Sequence, residues 1–351
     1  MCGIAGIFDL KQQREIDNNL LTKMRDSLYH RGPDEAGSFT LPGVGLAHRR
    51  LSIIDLSSGQ QPLSNADQSV TIVFNGEIFN FQDIRAELIE KGHEFKTHSD
   101  TETILYAWIE WGEKCIDKLR GMFAFVIWDA NLETLFCVRD RLGVKPLLYS
   151  ITDDGYFLFG SEHKAILQHP NVSTDINPKS VETYFALGYI TDPDSIYKNI
   201  HKLPAGHTLT IKRGQQPDIK QYWDLPFTPT QLDDKQAQQQ LFEKLKEATD
   251  IRMLAEVPLG AFLSGGVDSS AIVAIMSQLQ DDPVKTCSIG FNDPEFNESE
   301  FAQEVADHCK TDHFQQTVDS DDYGLIDTLI DVYDEPYADS SALPTYRVCE
   351  L

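Results

Sequence analysis

Cys2 follows the initiator methionine. Removal of Met1, usual before a small residue, gives one residue both a thiol and a free α-amine. An α-amine with an ordinary pKa of about 7.7 to 8.0 can serve as a base near neutrality. The thiolate is the stronger nucleophile, and a neighbouring base raises its supply. The pair suits acyl transfer. An isolated cysteine is commonly a small buried hydrophobe, but Gly3 and Gly6 flank this one. Glycines there let a substrate approach the backbone closely.

Other segments carry polar groups that could serve the same chemistry. His30-Arg31-Gly32-Pro33-Asp34 is a stiffened loop with a cation, and His48-Arg49-Arg50-Leu51-Ser52-Ile53 brings two more after a strand. Val73-Phe74-Asn75-Gly76-Glu77 ends a strand with an amide, a glycine and an acid. Taken alone, Asn75-Gly76 is a favoured hairpin turn. Ser99-Asp100-Thr101-Glu102 caps a helix, and Asp100 alone reads as its N-cap.

A second kind of chemistry is written in Phe262-Leu263-Ser264-Gly265-Gly266-Val267-Asp268-Ser269-Ser270. The glycines bare backbone N–H groups, and a following helix N-terminus adds positive potential, so the turn suits a phosphate. The serines can donate to phosphate oxygens. The lysine of a P-loop is absent, which excludes a Walker motif.

These groups need two scaffolds. From residue 3 to about 210, Gly3–Phe8, Val44–Ala47, Val70–Phe74, Phe123–Trp128, Thr134–Val138, Pro146–Tyr149 and Tyr156–Phe159 read as strands. Asp153-Asp154-Gly155 reads as a hairpin turn. Leu20, Leu21, Met24 and Leu28 share a helical face, as do Ile104, Leu105, Trp108 and Trp111, and Ile84 with Leu88. The pattern predicts antiparallel sheets covered by helices. The stretch 213–236, broken by Pro217, Pro226 and Pro229, reads as a linker.

Beyond it the rhythm changes. Leu241, Leu245 and Ala248 mark a helix, and Val257–Leu263 a buried strand. A helix over Ser269–Leu279, a strand over Lys285–Phe291, a helix through Phe301, Val305 and Ala306, a strand over His313–Val318 and a helix over Leu325–Tyr333 follow. Such alternation predicts a parallel α/β sheet. The domains are therefore expected at 2–212 and 237–351. Three strands are few for a doubly wound domain, and a helix starting near Pro344 has no C-cap, so the α/β domain is expected to continue past Leu351.

The composition narrows the partners. The 351 residues hold 30 Lys plus Arg against 55 Asp plus Glu, a net charge of −25. That field repels phosphate backbones and anionic lipid heads, which disfavours nucleic-acid and membrane-surface binding. No apolar run is long enough to span a bilayer, and no signal peptide is visible. Six cysteines without a C-x-x-C pair point to a reducing, cytoplasmic location and no structural zinc.

The ordered segments around Cys2, Arg31, Arg50, Asn75 and Asp100, together with Arg139-Asp140-Arg141-Leu142-Gly143-Val144-Lys145-Pro146-Leu147, resemble the N-terminal-nucleophile (Ntn) glutamine amidotransferases over about residues 2–165. The resemblance implies a four-layer αββα domain. It makes Cys2 the nucleophile toward glutamine, and Asn75 and Gly76 the oxyanion hole. Arg50, Leu51, Ser52, Ile54, Asn75, Gly76, Glu77 and Asp100 would bind glutamine. Arg31, on a loop that the family carries over the substrate, is a secondary candidate.

The S-G-G-x-D-S string resembles the pyrophosphate loop of ATP pyrophosphatases. By that resemblance Leu263, Ser264, Gly265, Gly266, Asp268, Ser269, Ser270 and Ile289 would bind ATP, with Asp268 on Mg²⁺. The two halves in this order resemble the glutamine-hydrolysing asparagine synthetases, and Asp334-Glu335-Pro336 and Asp339-Ser340-Ser341 continue the likeness. A further loop of S-G-x-G-x-D-E type, which completes the family's ATP site, has no match here. The implied chemistry is glutamine-dependent amination of an adenylated aspartate, with ATP and Mg²⁺, no prosthetic group and a homodimer. Amination of a different carboxylate, glutaminase activity alone, and a non-catalytic binding protein stand as alternatives.

Overall fold

The computed structural model describes residues 1–229, 231–293, 295, 297–318 and 323–351. Thr230, inside the stretch read as a linker, lies outside them. The chain divides into two compact units, Met1–Pro226 with Asp334–Pro336, and Phe227–Tyr333 with Tyr337–Leu351.

The first unit opens with β1 (Gly3–Asp9), α1 (Asn18–Asp26), β2 (Glu35–Leu41), β3 (Val44–Arg50), β4 (Leu63–Ser64) and β5 (Val70–Ile78). Two helices, α2 (Phe81–Glu90) and α3 (Asp100–Trp111), precede β6 (Gly121–Asp129), β7 (Thr134–Arg139), β8 (Leu148–Ile151) and β9 (Tyr156–Gly160). The unit closes with α4 (His163–Ile166), α5 (Pro178–Leu187), β10 (Ile200–Lys202), β11 (His207–Lys212) and β12 (Asp218–Gln221).

Two six-stranded sheets result, in the orders β10-β8-β9-β1-β3-β2 and β12-β11-β7-β6-β5-β4. Neighbouring strands pair antiparallel throughout both. Side chains alternate across a strand, and β1 shows what that builds. Ile4 and Phe8 enter a core between the sheets with Val73, Val126 and Trp128. Ala5 and Ile7 face the other way, onto Leu21, Met24 and Ala165 of α1 and α4. On the far side of the second sheet, Ile72, Phe74 and Phe125 pack against Ile84, Leu88, Leu105 and Trp108 of α2 and α3. The layers run helix, sheet, sheet, helix: the αββα architecture expected.

The second unit holds α6 (Asp234–Asp250), β13 (Gly260–Phe262), α7 (Val267–Leu279), β14 (Lys285–Phe291), α8 (Ser299–Cys309), β15 (Asp312–Val318), α9 (Ile326–Val332) and α10 (Ala342–Glu350). The three strands pair in parallel in the order β13-β14-β15. Leu263, Val273, Ala302 and Ala306 form the core beside them.

Several expectations need correction. The stretch 213–236 is not all linker. It contains β12, which extends the second sheet, and the start of α6, capped by a reciprocal Asp233–Gln236 box. The buried strand expected over Val257–Leu263 is only Gly260–Phe262, with Phe262 57% exposed, because it is an edge strand paired over three residues. In α8 the small Ala302 and Ala306 pack inward, while Phe301 is 60% exposed. The α6 pattern is also turned outward: its Leu241 is 61% exposed.

Candidate active site

Cys2 immediately precedes β1, at the N-terminal end of an interior strand of the first sheet. Its thiol donates to the Leu51 carbonyl at 3.7 Å, just beyond the end of β3. Burial pushes the thiol pKa up, while the Leu51 contact, the N-terminus and Arg50 oppose that and Asp100 adds to it. Cys2 borders a cavity of about 170 Å³ whose wall includes Met1, Arg50, Asn75, Glu77, Asp100 and Lys145. Three elements and a loop thus converge: the end of β3, the middle of β5, the start of α3 and the β7–β8 connection.

Asn75 and Gly76 are not a turn. They lie within β5 and pair with Ala124 and Phe123 of β6. Asn75 is buried, and its Nδ2 has no hydrogen-bond partner among the described residues. A buried amide donor left unpaired costs about 1–3 kcal/mol, and this one belongs to a residue that lines the cavity. Gly76 lets β5 and β6 of the second sheet approach closely at this point. A Cβ there would collide with the Met122 carbonyl oxygen and lie 2.7 Å from the Phe123 Cα.

Arg50 is buried. Its Nη1 donates to Glu35 at 2.8 Å, and its Nη2 to the carbonyls of Ile54 and Asp55 at 3.1 and 2.6 Å. A guanidinium has five N–H donors, so these three contacts leave two unused, at Nε and Nη1. Across it stands Asp100. The helix cap is Ser99, whose side chain accepts from Glu102 N–H, and Asp100 is the first helical residue. Its carboxylate accepts the Ile78 N–H at 3.0 Å. Burial, with Glu77 nearby, pushes its pKa up to about 7.

Leu51, Ile54 and Glu77 line the cavity; Ser52 does not. Its N–H donates to Asp34 at 2.8 Å instead, which ties down the loop after β3. Arg31 grips the Cys2 backbone: Nε donates to the Cys2 carbonyl at 2.9 Å and Nη1 to Glu162 at 2.7 Å. Several lining residues were not assigned to the site from the sequence, Gly59, Gln61, Met122 and Lys145 among them. Gln61 accepts from Phe74 N–H at 2.7 Å and donates to Thr101 at 3.2 Å, bridging β5 to α3. Met122 and Lys145 complete the wall.

In the second unit the loop after β13 is a closed turn. Ser264 and Ser269 hydroxyls are 3.0 Å apart, Ser269 donates to the Gly266 carbonyl at 3.2 Å, and Gly266 N–H donates to Ser264 at 3.3 Å. Gly265 has φ +81°, and a Cβ there would lie 2.6 Å from the Ala302 nitrogen and from the Phe301 Cβ. The Ser270 hydroxyl is buried without a partner among the described residues. Gly266 is the N-cap of α7, and Asp268 sits exposed in its first turn. Leu263 is buried, and Ile289 is half-buried on β14. A positive-φ glycine, an unpaired hydroxyl and a helix N-terminus fit a phosphate. One carboxylate beside them fits a Mg²⁺ carried largely by phosphate oxygens.

A family model for a glutamine amidotransferase domain matches residues 1–223, and one for asparagine synthase matches residues 240–351. Asparagine synthetase [glutamine-hydrolyzing] 1 of Bacillus subtilis is 34% identical over 353 residues, which cover 100% of this chain and 55% of that protein. A putative asparagine synthetase [glutamine-hydrolyzing] 2 of Methanocaldococcus jannaschii is 40% identical over 376 residues, covering 100% and 72%. The chain belongs to the glutamine-hydrolysing asparagine synthetase family. It spans about half the length of the Bacillus subtilis relative. The two family matches fall one on each side of the change in architecture, the first on the antiparallel sheets and the second on the parallel one. The described residues include no helix long and apolar enough to cross a membrane.

Proposed function

We propose that the chain is a glutamine-dependent amidotransferase that transfers the amide nitrogen of glutamine to an adenylated aspartate. With Met1 removed, the Cys2 amine takes the thiol proton as sulfur attacks the side-chain amide carbon. The oxyanion that develops is met by Asn75 Nδ2 and the Gly76 N–H. The amine then passes its proton to the leaving nitrogen, ammonia departs, and water cleaves the thioester to glutamate. The two spare donors of Arg50 hold the substrate α-carboxylate, while Glu77 and Asp100 receive its α-ammonium.

The observation that carries this reading is the buried, unpaired amide of Asn75 in the same cavity as the Cys2 sulfur. A preorganised donor facing a nucleophile is the electrostatic part of acyl-transfer catalysis. At the second site Ser264, Gly265, Gly266, Ser269 and Ser270 would hold the pyrophosphate of ATP, with Leu263 and Ile289 beside the nucleotide. Asp268 would hold Mg²⁺, which would supply neutralisation of phosphate charge; the proposed reaction transfers AMP to the aspartate carboxylate and releases pyrophosphate. A soluble, cytoplasmic homodimer is the proposed form.

Glutamine labelled with ¹⁵N in its side-chain amide, incubated with Mg²⁺-ATP and aspartate, tests this. Label in asparagine with release of pyrophosphate is the expected result. Label in free ammonia alone would remove the synthetase half of the proposal for this chain. No release of label would remove both halves.

A further inference from the structure

Lys145 is the one lysine in the wall of the Cys2 cavity, and the chemistry above leaves it without a task. It is 6% exposed. No hydrogen bond or ion pair of its Nζ is found among the described residues. A buried ammonium without a counter-ion is costly, so a position built to hold one calls for a reason.

The position is built. The Asp140 carboxylate accepts the Lys145 N–H at 3.0 Å and the Val144 N–H at 3.0 Å. Arg139 Nε donates to the Lys145 carbonyl at 3.0 Å, and its Nη2 to the Gly143 carbonyl at 2.9 Å. The backbone that carries the lysine is thus clamped from both sides.

The charges around the nucleophile explain what the lysine adds. The thiol feels Arg50 and the N-terminus as cations and Asp100 as an anion. The lysine feels the Cys2 sulfur, Glu77 and Asp140 as anions and Arg31 as a cation. In the free chain Arg50 and the N-terminus act more strongly on the thiol. Neither serves in turnover: the substrate carboxylate neutralises Arg50, the Met1 amine is lost with Met1, and the Cys2 α-amine that replaces it must be uncharged to take a proton. Arg31 is already paired with Glu162. Lys145 remains.

We propose that the Lys145 ammonium is the cation that sustains the Cys2 thiolate once glutamine is bound. This rests on the glutaminase reading and extends it to a residue on the β7–β8 loop. The probe is a glutamine analogue with a chloromethyl ketone in place of the amide. The sulfur displaces chloride to form a thioether, and chloride leaves with the electron pair. The analogue keeps the α-carboxylate that occupies Arg50.

Labelling of Cys2 is followed by mass across pH in the Met1-free wild-type chain, Lys145→Met and Lys145→Arg. In Lys145→Met the rise of the rate should move up by about one pH unit, leaving labelling at pH 7 about tenfold slower. Lys145→Arg should stay within about twofold of wild type. An unmoved profile in Lys145→Met overturns the proposal while leaving the glutaminase reading intact. So does an arginine variant displaced as far as the methionine one, since that marks a packing role. Should the methionine variant fail to fold, Lys145→Gln carries the same comparison. A wild-type chain that is not labelled at Cys2 overturns the glutaminase reading first, and this proposal with it.

Discussion

The carboxylate of Asp100 accepts the backbone N–H of Ile78 at 3.0 Å, joining the first turn of α3 to the last residue of β5. That contact fixes the acid at the cavity wall but does not offset its burial, which pushes its pKa up to about 7. A proton therefore competes with the substrate ammonium for this group near neutrality. The KM for glutamine should fall as pH rises from 6 to 8, and Asp100→Asn should raise KM and flatten that dependence. The sign for stability is opposite. A carboxyl raised from its ordinary 3.8 contributes its full stability below that value and loses it as pH rises through about 7. At pH 8, Asp100→Asn should unfold at a higher temperature than wild type, measured by thermal denaturation.

Asn75 should behave as a transition-state residue. Asn75→Ala removes the unpaired Nδ2 without touching Arg50, Glu77 or Asp100. Loss of one oxyanion donor costs about 10² to 10³ in kcat, with KM for glutamine changed by less than about threefold. Steady-state glutaminase kinetics decide it: a rise in KM at unchanged kcat would make Asn75 a binding residue instead.

The Arg31–Glu162 pair is a half-buried support behind Cys2. Arg31 and His30 hold the Glu162 carboxyl down to about 2 against its burial. Its stabilisation is complete above its ordinary 4.5 and is lost as pH falls through about 2. Glu162→Gln leaves the Arg31 charge without its partner, and breaking this half-buried pair should cost about 1–3 kcal/mol, between the exposed and the fully buried cases. Urea denaturation at pH 7 should show that loss, and the difference from wild type should shrink in acid.

Much of this was legible because strands and helices print different periods. The alternation of Ile4, Gly6 and Phe8 against Ala5 and Ile7 marked β1, and Leu20, Leu21, Met24 and Leu28 marked the helix on its outer face. β2 was not read, because Glu35–Leu41 is an edge strand whose residues are half-buried or exposed. His207–Lys212 was missed because its apolar residues are interleaved with threonines. The chemical positions of Cys2, Arg50 and Asn75 lay in recognisable strings, but their roles depend on distances between segments. Ser99 and Asp100 show the limit: either type can cap a helix, and only the backbone shows that the serine does so and frees the acid for the cavity. Lys145 and Gln61 were legible as residues and not as neighbours of Cys2.

The two sites should fail independently, and Gly265 offers the cleanest break. Its φ of +81° is strained for any residue with a side chain, and an added Cβ would press on the Ala302 nitrogen at 2.6 Å. That nitrogen lies in α8, which packs beside the loop through Ala302 and Ala306. Relief therefore requires the loop to shift away from the arrangement in which Ser264, Gly266 and Ser269 bond one another. Gly265→Ala should abolish pyrophosphate release from ATP while glutamine hydrolysis by the first unit stays within about twofold of wild type. The structural reason is that, among the described residues, the hydrogen bonds of Cys2, Arg50 and Asp100 and the strand pairing of Asn75 lie within the first unit. Parallel assays of glutamate and pyrophosphate on one preparation measure both. Loss of glutaminase activity in this variant would show that the amidotransferase unit depends on the phosphate loop after all.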